Sequence, residues 1–217
     1  MFLTKLTVDP RSREFRRDCA NIHDMHRTVM SGYPEIDNDI PAREAHGVLW
    51  RLDDNRGTYV QYVQSATEPN WSKLPAGHLI RPPEIRPLKP VIDAIRPGRK
   101  LAFRLMANPT KCDFSSRKRV PLRTQDEQIQ WLIRKGEQHG FVIPSAQQGG
   151  ADVAPSAVPR LTGSKDKAGK ITVDPVRFDG HLVVTDDKAF TSALVAGIGR
   201  AKAYGCGLIS LAPARIQ

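Results

Sequence analysis

In the first third of the chain, apolar side chains recur at every second position in some segments and at helical spacing in another. These patterns predict strands and one interrupted helix. Strands are predicted over Phe2–Val8, 48–53 and Thr58–Ser65, the last two forming a hairpin. Between the first two strands, apolar residues recur at helical spacing over 12–30. The pattern breaks at Asn21, whose side chain can cap a second helix. The segment therefore predicts a strand, a broken helix and a hairpin.

Further along, a short helix over 91–95 and a strand over Lys100–Ala107 are predicted. With the elements before them they complete the order β-α-β-β-α-β, which is the ferredoxin-like unit. A first domain over residues 1–108 is the expected result.

The second half repeats this order more loosely. A capping box at Thr124 opens a helix, and Asp179-Gly180 is predicted to turn a hairpin. The other predicted elements are a basic strand over 117–122, a strand at 141–143, a helix from 186 or 187 and a closing strand over 208–211. The predicted fold is α+β, with two tandem ferredoxin-like domains, 1–108 and 109–217, and a cleft between them.

Composition narrows the class of protein. The 217 residues are 40% hydrophobic, which is enough for a packed core, and no apolar run reaches the roughly 18 residues that a membrane helix needs. Three cysteines without a C-x-x-C pair favour a reducing compartment, so a cytoplasmic protein without a membrane partner is expected.

Positive charge is concentrated in the middle of the chain. The 33 basic and 23 acidic residues give a net charge of +10, and residues 96–135 alone hold eleven basic and three acidic residues. Such a block is typical of a surface that binds a polyanion, above all nucleic acid, although a solvated basic surface is the alternative.

A glycine-rich segment, 197–210, is the most unusual stretch. It fails as a dinucleotide fingerprint because Lys202 replaces the third glycine, and it has no G-K-[ST] of a P-loop. Its glycines, with Arg200 and Lys202, favour close approach of a charged ligand, while a tight turn is the alternative.

His23 and His26 are spaced i, i+3, so a helix would place both on one face beside Arg27. Imidazole exchanges protons near neutral pH without a metal, which suits acid–base catalysis. A zinc site with Cys19 is disfavoured because no fourth ligand stands at the usual spacing. A two-histidine phosphoesterase is disfavoured too, because His26-Arg27-Thr28 is not matched by a second H-x-[ST].

Together these pieces make the chain resemble, nearly end to end, the CasE family of repeat-processing endoribonucleases from type I-E CRISPR systems. The matching motifs are FLTKLTVDP, HDMHRT, RLMANPTK, FDGHLVV and, most specifically, GIGRAKAYGCGLISLAP. The resemblance implies two ferredoxin-like domains and cleavage of CRISPR repeat RNA at the base of its hairpin, without metal or other cofactor. It also implies retention of the product within Cascade, beside other subunits.

Carried over by position, His26 matches the catalytic histidine of the family. Some members have a tyrosine where His23 stands, so the resemblance leaves the role of His23 open. The hypothesis is attack by a ribose 2′-hydroxyl, giving a 2′,3′-cyclic phosphate, with His26 as general acid or base and His23 as its helper. A non-catalytic hairpin-binding subunit and a metal-dependent nuclease are the alternatives.

Candidate RNA-binding residues are the cations and glycines of the segments above. They are Arg27, Arg104, Lys111, Arg117, Lys118, Arg119, Arg160, Lys165, Lys167, Lys170, Gly199, Arg200, Lys202, Gly205 and Gly207.

Overall fold

The computed structural model describes residues 1–37, 39–165 and 169–214; Lys167, one of the predicted RNA-binding residues, lies outside them. In chain order the elements are β1 (Phe2–Val8), α1 (Arg13–Ala20), α2 (Ile22–Met30), α3 (Ala42–Ala45), β2 (Leu49–Asn55), β3 (Thr58–Ser65), a 3₁₀ turn (Trp71–Lys73), β4 (Glu84–Pro87), α4 (Lys89–Asp93), β5 (Lys100–Ala107), β6 (Thr110–Cys112), β7 (Arg119–Pro121), α5 (Gln125–Gln138), β8 (Phe141–Val142), β9 (Val153–Ala157), β10 (Leu161–Ser164), β11 (Lys170–Val173), β12 (Val176–Val184), α6 (Asp187–Ala196), a second 3₁₀ turn (Lys202–Tyr204) and β13 (Ile209–Pro213).

The chain divides into two compact units whose segments interleave along the sequence. Unit 1 comprises Met1–Pro90, Arg160–Val173 and Lys202–Gly205. Unit 2 comprises Val91–Pro159, Asp174–Ala201 and Cys206–Gln217.

Unit 1 contains a four-stranded antiparallel sheet in the order β2-β3-β1-β4, which is the ferredoxin-like order. Apolar side chains from one sheet face and from α1 and α2 form its core, including Leu6, Phe15, Met25, Trp50 and Val63. The sequence prediction of a break at Asn21 is confirmed, because this residue ends α1 and caps α2.

The strand that closes the first sheet is β4, and not Lys100–Ala107 as predicted. In the observed register Phe2 pairs with Pro87 on one side and with Ser65 on the other. The predicted boundary at residue 108 therefore differs from the observed division, because Lys100–Ala107 is the first strand of the second sheet. Alternating apolar residues identify a strand but do not identify its partner.

Unit 2 contains a second antiparallel sheet in the order β13-β5-β12-β8, again the ferredoxin-like order, with β9 added alongside β12. The segment predicted as its first strand instead supplies β7, which pairs with β6 in a separate two-stranded hairpin. The capping box at Thr124 is confirmed at the start of α5. Phe178 is fully buried in this unit and stacks on Trp131.

The hairpin predicted at Asp179-Gly180 is wrong, because β12 continues through both residues. Gly180 pairs with Phe103 on β5 and with Val153 on β9. A Cβ at Gly180 would collide with the carbonyl oxygen of Asp152. Glycine is needed here for the close approach of a neighbouring backbone, and not for a turn.

Candidate active site

Helix α2 carries both histidines predicted as catalytic and is held at its first turn. The Asn21 side-chain oxygen accepts hydrogen bonds from the backbone N–H of His23, at 3.1 Å, and of Ser164, at 3.2 Å. The first bond caps the helix and the second ties it to β10. Lys165, which follows β10, is thereby brought towards α2 from far along the chain.

Ile22, Met25 and Val29 point from α2 into the core, which leaves His23 and His26 half-buried at the edge of the apolar face. Their ring centroids are 6.3 Å apart. The Nδ1 atom of each ring is enclosed, and among the described residues no hydrogen-bond partner faces either of them. Each ring therefore has its other nitrogen, Nε2, to offer to a substrate.

Burial and positive neighbours act together on His26. Burial is the largest cause that lowers its pKa to about 4, and electrostatic interactions with His23, Arg43 and Lys165 add to the effect. The imidazole of the free protein is thus neutral at pH 7. A neutral ring among cations can accept a proton and lies where an anion is attracted.

Tyr204 is the aromatic neighbour of His26, with ring centroids 6.3 Å apart in an edge-to-face arrangement. The turn that carries Tyr204 is anchored by Trp50, whose Nε1 donates a hydrogen bond of 3.2 Å to the Ala203 carbonyl oxygen. Gly205 has a φ of 78°, and a Cβ there would lie 3.1 Å from the Trp50 ring. This part of the glycine-rich segment therefore packs on Trp50 and sets Tyr204 against His26.

Arg43 and Tyr204 also lie at the candidate site, although the sequence alone does not indicate them. The Arg43 side chain is only 18% exposed, and it donates to the Val48 carbonyl oxygen at 3.2 Å. Its charge also lowers the pKa of half-buried Lys202, after burial and against the opposing effect of Glu44. No local motif marks either residue. We call His23, His26, Arg43, Lys165, Lys202 and Tyr204 the α2 patch.

Other predicted residues of unit 1 lie at the surface. The Arg27 side chain is 73% exposed and forms a loose ion pair with Asp24 at 3.7 Å. Arg160, just before β10, and Lys170, the first residue of β11, are both exposed. These positions fit phosphate contacts, which stay a prediction.

The remaining predicted residues belong to unit 2. Lys111, Arg117, Lys118 and Arg119 are exposed on the β6–β7 hairpin, and Lys111 pairs with Glu127 at 2.7 Å. Arg104, in contrast, is held within the sheet by Asp179 at 2.5 Å. Much of its charge is therefore already matched by the protein.

The glycine-rich segment serves packing at several points. Gly199, with a φ of 84°, would place a Cβ 3.2 Å from the Trp131 ring. The Gly207 N–H donates to the Met106 carbonyl oxygen at 2.7 Å, so it is already engaged. The exposed Arg200 and the half-buried Lys202 are better placed than this N–H to meet a phosphate.

Two kinds of feature are absent from the described residues. No group of three or more His, Cys, Asp or Glu side chains there could hold a metal ion. In the same residues no helix is long and apolar enough to cross a membrane.

Comparison with known proteins extends over nearly the whole chain. A family model described as CRISPR associated protein matches residues 1–213. The chain is 39% identical to CRISPR-associated endoribonuclease Cse3 of Thermus thermophilus, covering 98% of this chain and all of that protein. It is 38% identical to CRISPR system Cascade subunit CasE of Escherichia coli, covering 78% of this chain and 91% of that protein.

Solved structures agree with these matches. The Cse3 endoribonuclease bound to 19-nucleotide RNA superposes with a TM-score of 0.81 at 37% identity, covering 98% of this chain and 100% of that one. Cas6e of E. coli superposes with a TM-score of 0.70 at 26% identity, covering 99% and 100%. On the family match, the shared identity and the fold, the chain belongs to the CRISPR-associated protein family.

Proposed function

We propose that this chain is an endoribonuclease that binds the hairpin of CRISPR repeat RNA and cleaves it at the base of the stem. The observation that carries the proposal is the neutral, half-buried His26 among the cations of the α2 patch. The Cse3 relative, named as a CRISPR-associated endoribonuclease, supports it.

The proposed reaction uses a nucleophile that RNA itself supplies. The ribose 2′-oxygen attacks the adjacent phosphorus, a P–O2′ bond forms and the P–O5′ bond breaks. The 2′-hydroxyl loses its proton and the departing 5′-oxygen gains one, so the products are a 2′,3′-cyclic phosphate and a 5′-hydroxyl. The protein must hold the three reacting atoms in line and stabilise the charge on phosphorus.

His26 suits the role of general base because its imidazole is neutral in the free protein. The negative charge of a bound phosphate offsets the cations that lower its pKa, which strengthens the ring as a base for the 2′-hydroxyl proton. In this proposal His23, whose ring centroid lies 6.3 Å from that of His26, gives a proton to the 5′-oxygen. Arg43, Lys165 and Lys202 stabilise the additional negative charge of the transition state. No metal or cofactor is needed for these steps.

Binding is proposed to depend on phosphate contacts and on the A-form shape of the stem. Exposed cations in both units, on the β10–β11 hairpin and on the β6–β7 hairpin, supply those contacts. If six to ten such contacts form, raising the salt concentration from 50 to 200 mM should weaken binding about 10³- to 10⁵-fold. Affinity of this kind also slows release of the cleaved RNA.

Retention of the product fits a subunit of a larger assembly. The E. coli relative is named a Cascade subunit, and CRISPR RNA-guided surveillance complexes are among the structural neighbours, one with a TM-score of 0.68 at 28% identity. We therefore propose that the chain keeps its RNA within Cascade, in the cytoplasm where the transcript is made.

The test is cleavage of the repeat RNA from the genome that encodes this chain. An all-ribose hairpin should be cut once, a copy with 2′-deoxyribose at the cut site should stay intact, and excess EDTA should not change the rate. His26→Ala should bind the hairpin normally and fail to cut it. Cleavage of the deoxy copy, loss of cleavage in EDTA or wild-type cleavage by the variant would each contradict the mechanism.

A further inference from the structure

The β6–β7 hairpin combines a fully exposed aromatic ring with a cluster of cations. Phe114 is 99% exposed at the tip between the two strands, far beyond the other exposed large apolar side chains among the described residues. Lys111, Arg117, Lys118 and Arg119 surround it in sequence, and all four are exposed. An aromatic side chain displayed in this way does nothing for the core.

The tip that carries Phe114 is ordered by its own hydrogen bonds. The Asp113 carboxylate accepts from the Ser115 hydroxyl at 2.8 Å and from the Ser116 N–H at 2.9 Å. Hydrogen bonds to the carboxylate lower the pKa of Asp113 to about 2, and the one from the Ser116 hydroxyl has the largest effect. The carboxylate therefore stays charged near neutral pH. The Asp113 N–H also donates to the Lys118 carbonyl oxygen at 2.8 Å. The ring is therefore presented by a closed turn, which lowers the entropy lost on binding.

We propose that Phe114 stacks on an unpaired base of the bound RNA, in the loop of the hairpin or in the single strand beside the stem. This proposal rests on the proposed function, because it requires a hairpin RNA. Paired bases in an A-form stem are already stacked and lie beyond the reach of side chains, whereas unpaired bases are free to stack on aromatic rings.

The four cations favour RNA over a protein as the partner of this hairpin. The buried centre of a protein interface is depleted of charged residues, whereas this ring is surrounded by them. Cations that follow the backbone together with an aromatic ring that holds a base are the usual combination in proteins that bind single-stranded nucleic acid. The hairpin has this combination within twelve residues, 110–121.

The experiment uses the full chain and a repeat hairpin with 2′-deoxyribose at the cut site. 2-Aminopurine replaces each unpaired base in turn, and its fluorescence reports stacking. With the wild-type chain, binding should change the fluorescence at one unpaired position. Phe114→Ala should abolish that change and raise Kd about 5- to 150-fold, while Phe114→Tyr should restore both. The exposure of Phe114 means that neither variant removes a core contact.

Lys118→Ala is the matched control on the same hairpin. It should reduce the slope of log K against log salt by about 1 and keep the fluorescence change, whereas Phe114→Ala should leave the slope unchanged. Wild-type affinity in Phe114→Ala, or a fluorescence change that survives it, overturns the proposal while leaving the proposed function intact. Normal RNA binding by Phe114→Ala combined with failure to join other subunits would also overturn it, in favour of a protein contact. Failure of the wild-type chain to bind the hairpin would refute the proposed function and this proposal together.

Discussion

The neutral state of buried His26 should make the stability of the folded protein depend on pH. Its folded pKa is about 4, against an ordinary value of 6.5. Between these values the unfolded chain binds a proton that the folded protein excludes, so the free energy of unfolding falls as pH is lowered from 6.5 to 4. At 1.36 kcal/mol per pH unit, this difference corresponds to roughly 3 kcal/mol.

Urea unfolding at a series of pH values measures this effect, with His26→Gln as the reference because its side chain stays neutral throughout. The wild type should lose about 3 kcal/mol more than the variant between pH 7 and 4. Curves that run parallel would refute the idea that the ring is held neutral by its surroundings.

The positive neighbours of His26 can be tested separately by NMR titration of its ring. Arg43→Gln should raise the pKa of His26, but by less than the whole difference, because burial is the larger cause. Arg27→Gln is the control, since that exposed cation is not among the causes of the shift. An equal effect of both substitutions would contradict the placement of Arg43.

The remaining predictions concern cleavage under single-turnover conditions and, for Gly205, thermal stability as well. His26→Gln should slow cleavage about 10²- to 10⁴-fold without changing Kd, and an unchanged rate would remove it from the chemistry. His23→Gln should recover most of its lost rate on RNA whose leaving 5′-oxygen is replaced by sulfur, because a thiolate departs without a proton. The absence of recovery would count against His23 as the proton donor. Tyr204→Leu should slow cleavage at saturating RNA, and Tyr204→Phe should not. Gly205→Ala should slow cleavage and also lower the melting temperature. The φ of 78° at Gly205 and the Trp50 ring, 3.1 Å from the position of the added Cβ, oppose any side chain there. Wild-type cleavage by Tyr204→Leu would show that its ring does not position His26.

Elements whose signals are local were predictable. The cap at Asn21, the capping box at Thr124 and the alternation in Phe2–Val8 depend on residues a few positions apart, and the structure has each of them. Strand partners are not local. The same apolar pattern in Lys100–Ala107 would suit either sheet, and only the packing of the whole chain joins it to β12 and β13. The sequence around Gly180 predicts a turn for the same reason, because the backbone that lies against it, at Asp152 and Val153, is distant in sequence.

The candidate site divides in the same way. The sequence alone determines that His23 and His26 share a helix face and that cations cluster between residues 96 and 135, because helical spacing and charge are properties of the chain itself. Only the tertiary structure decides that Tyr204 meets His26, that Arg43 and Lys165 depress its pKa, and that Trp50 anchors a turn 153 residues away. Burial and electrostatic surroundings are produced by segments distant in sequence, and they keep the imidazole of His26 neutral among cations.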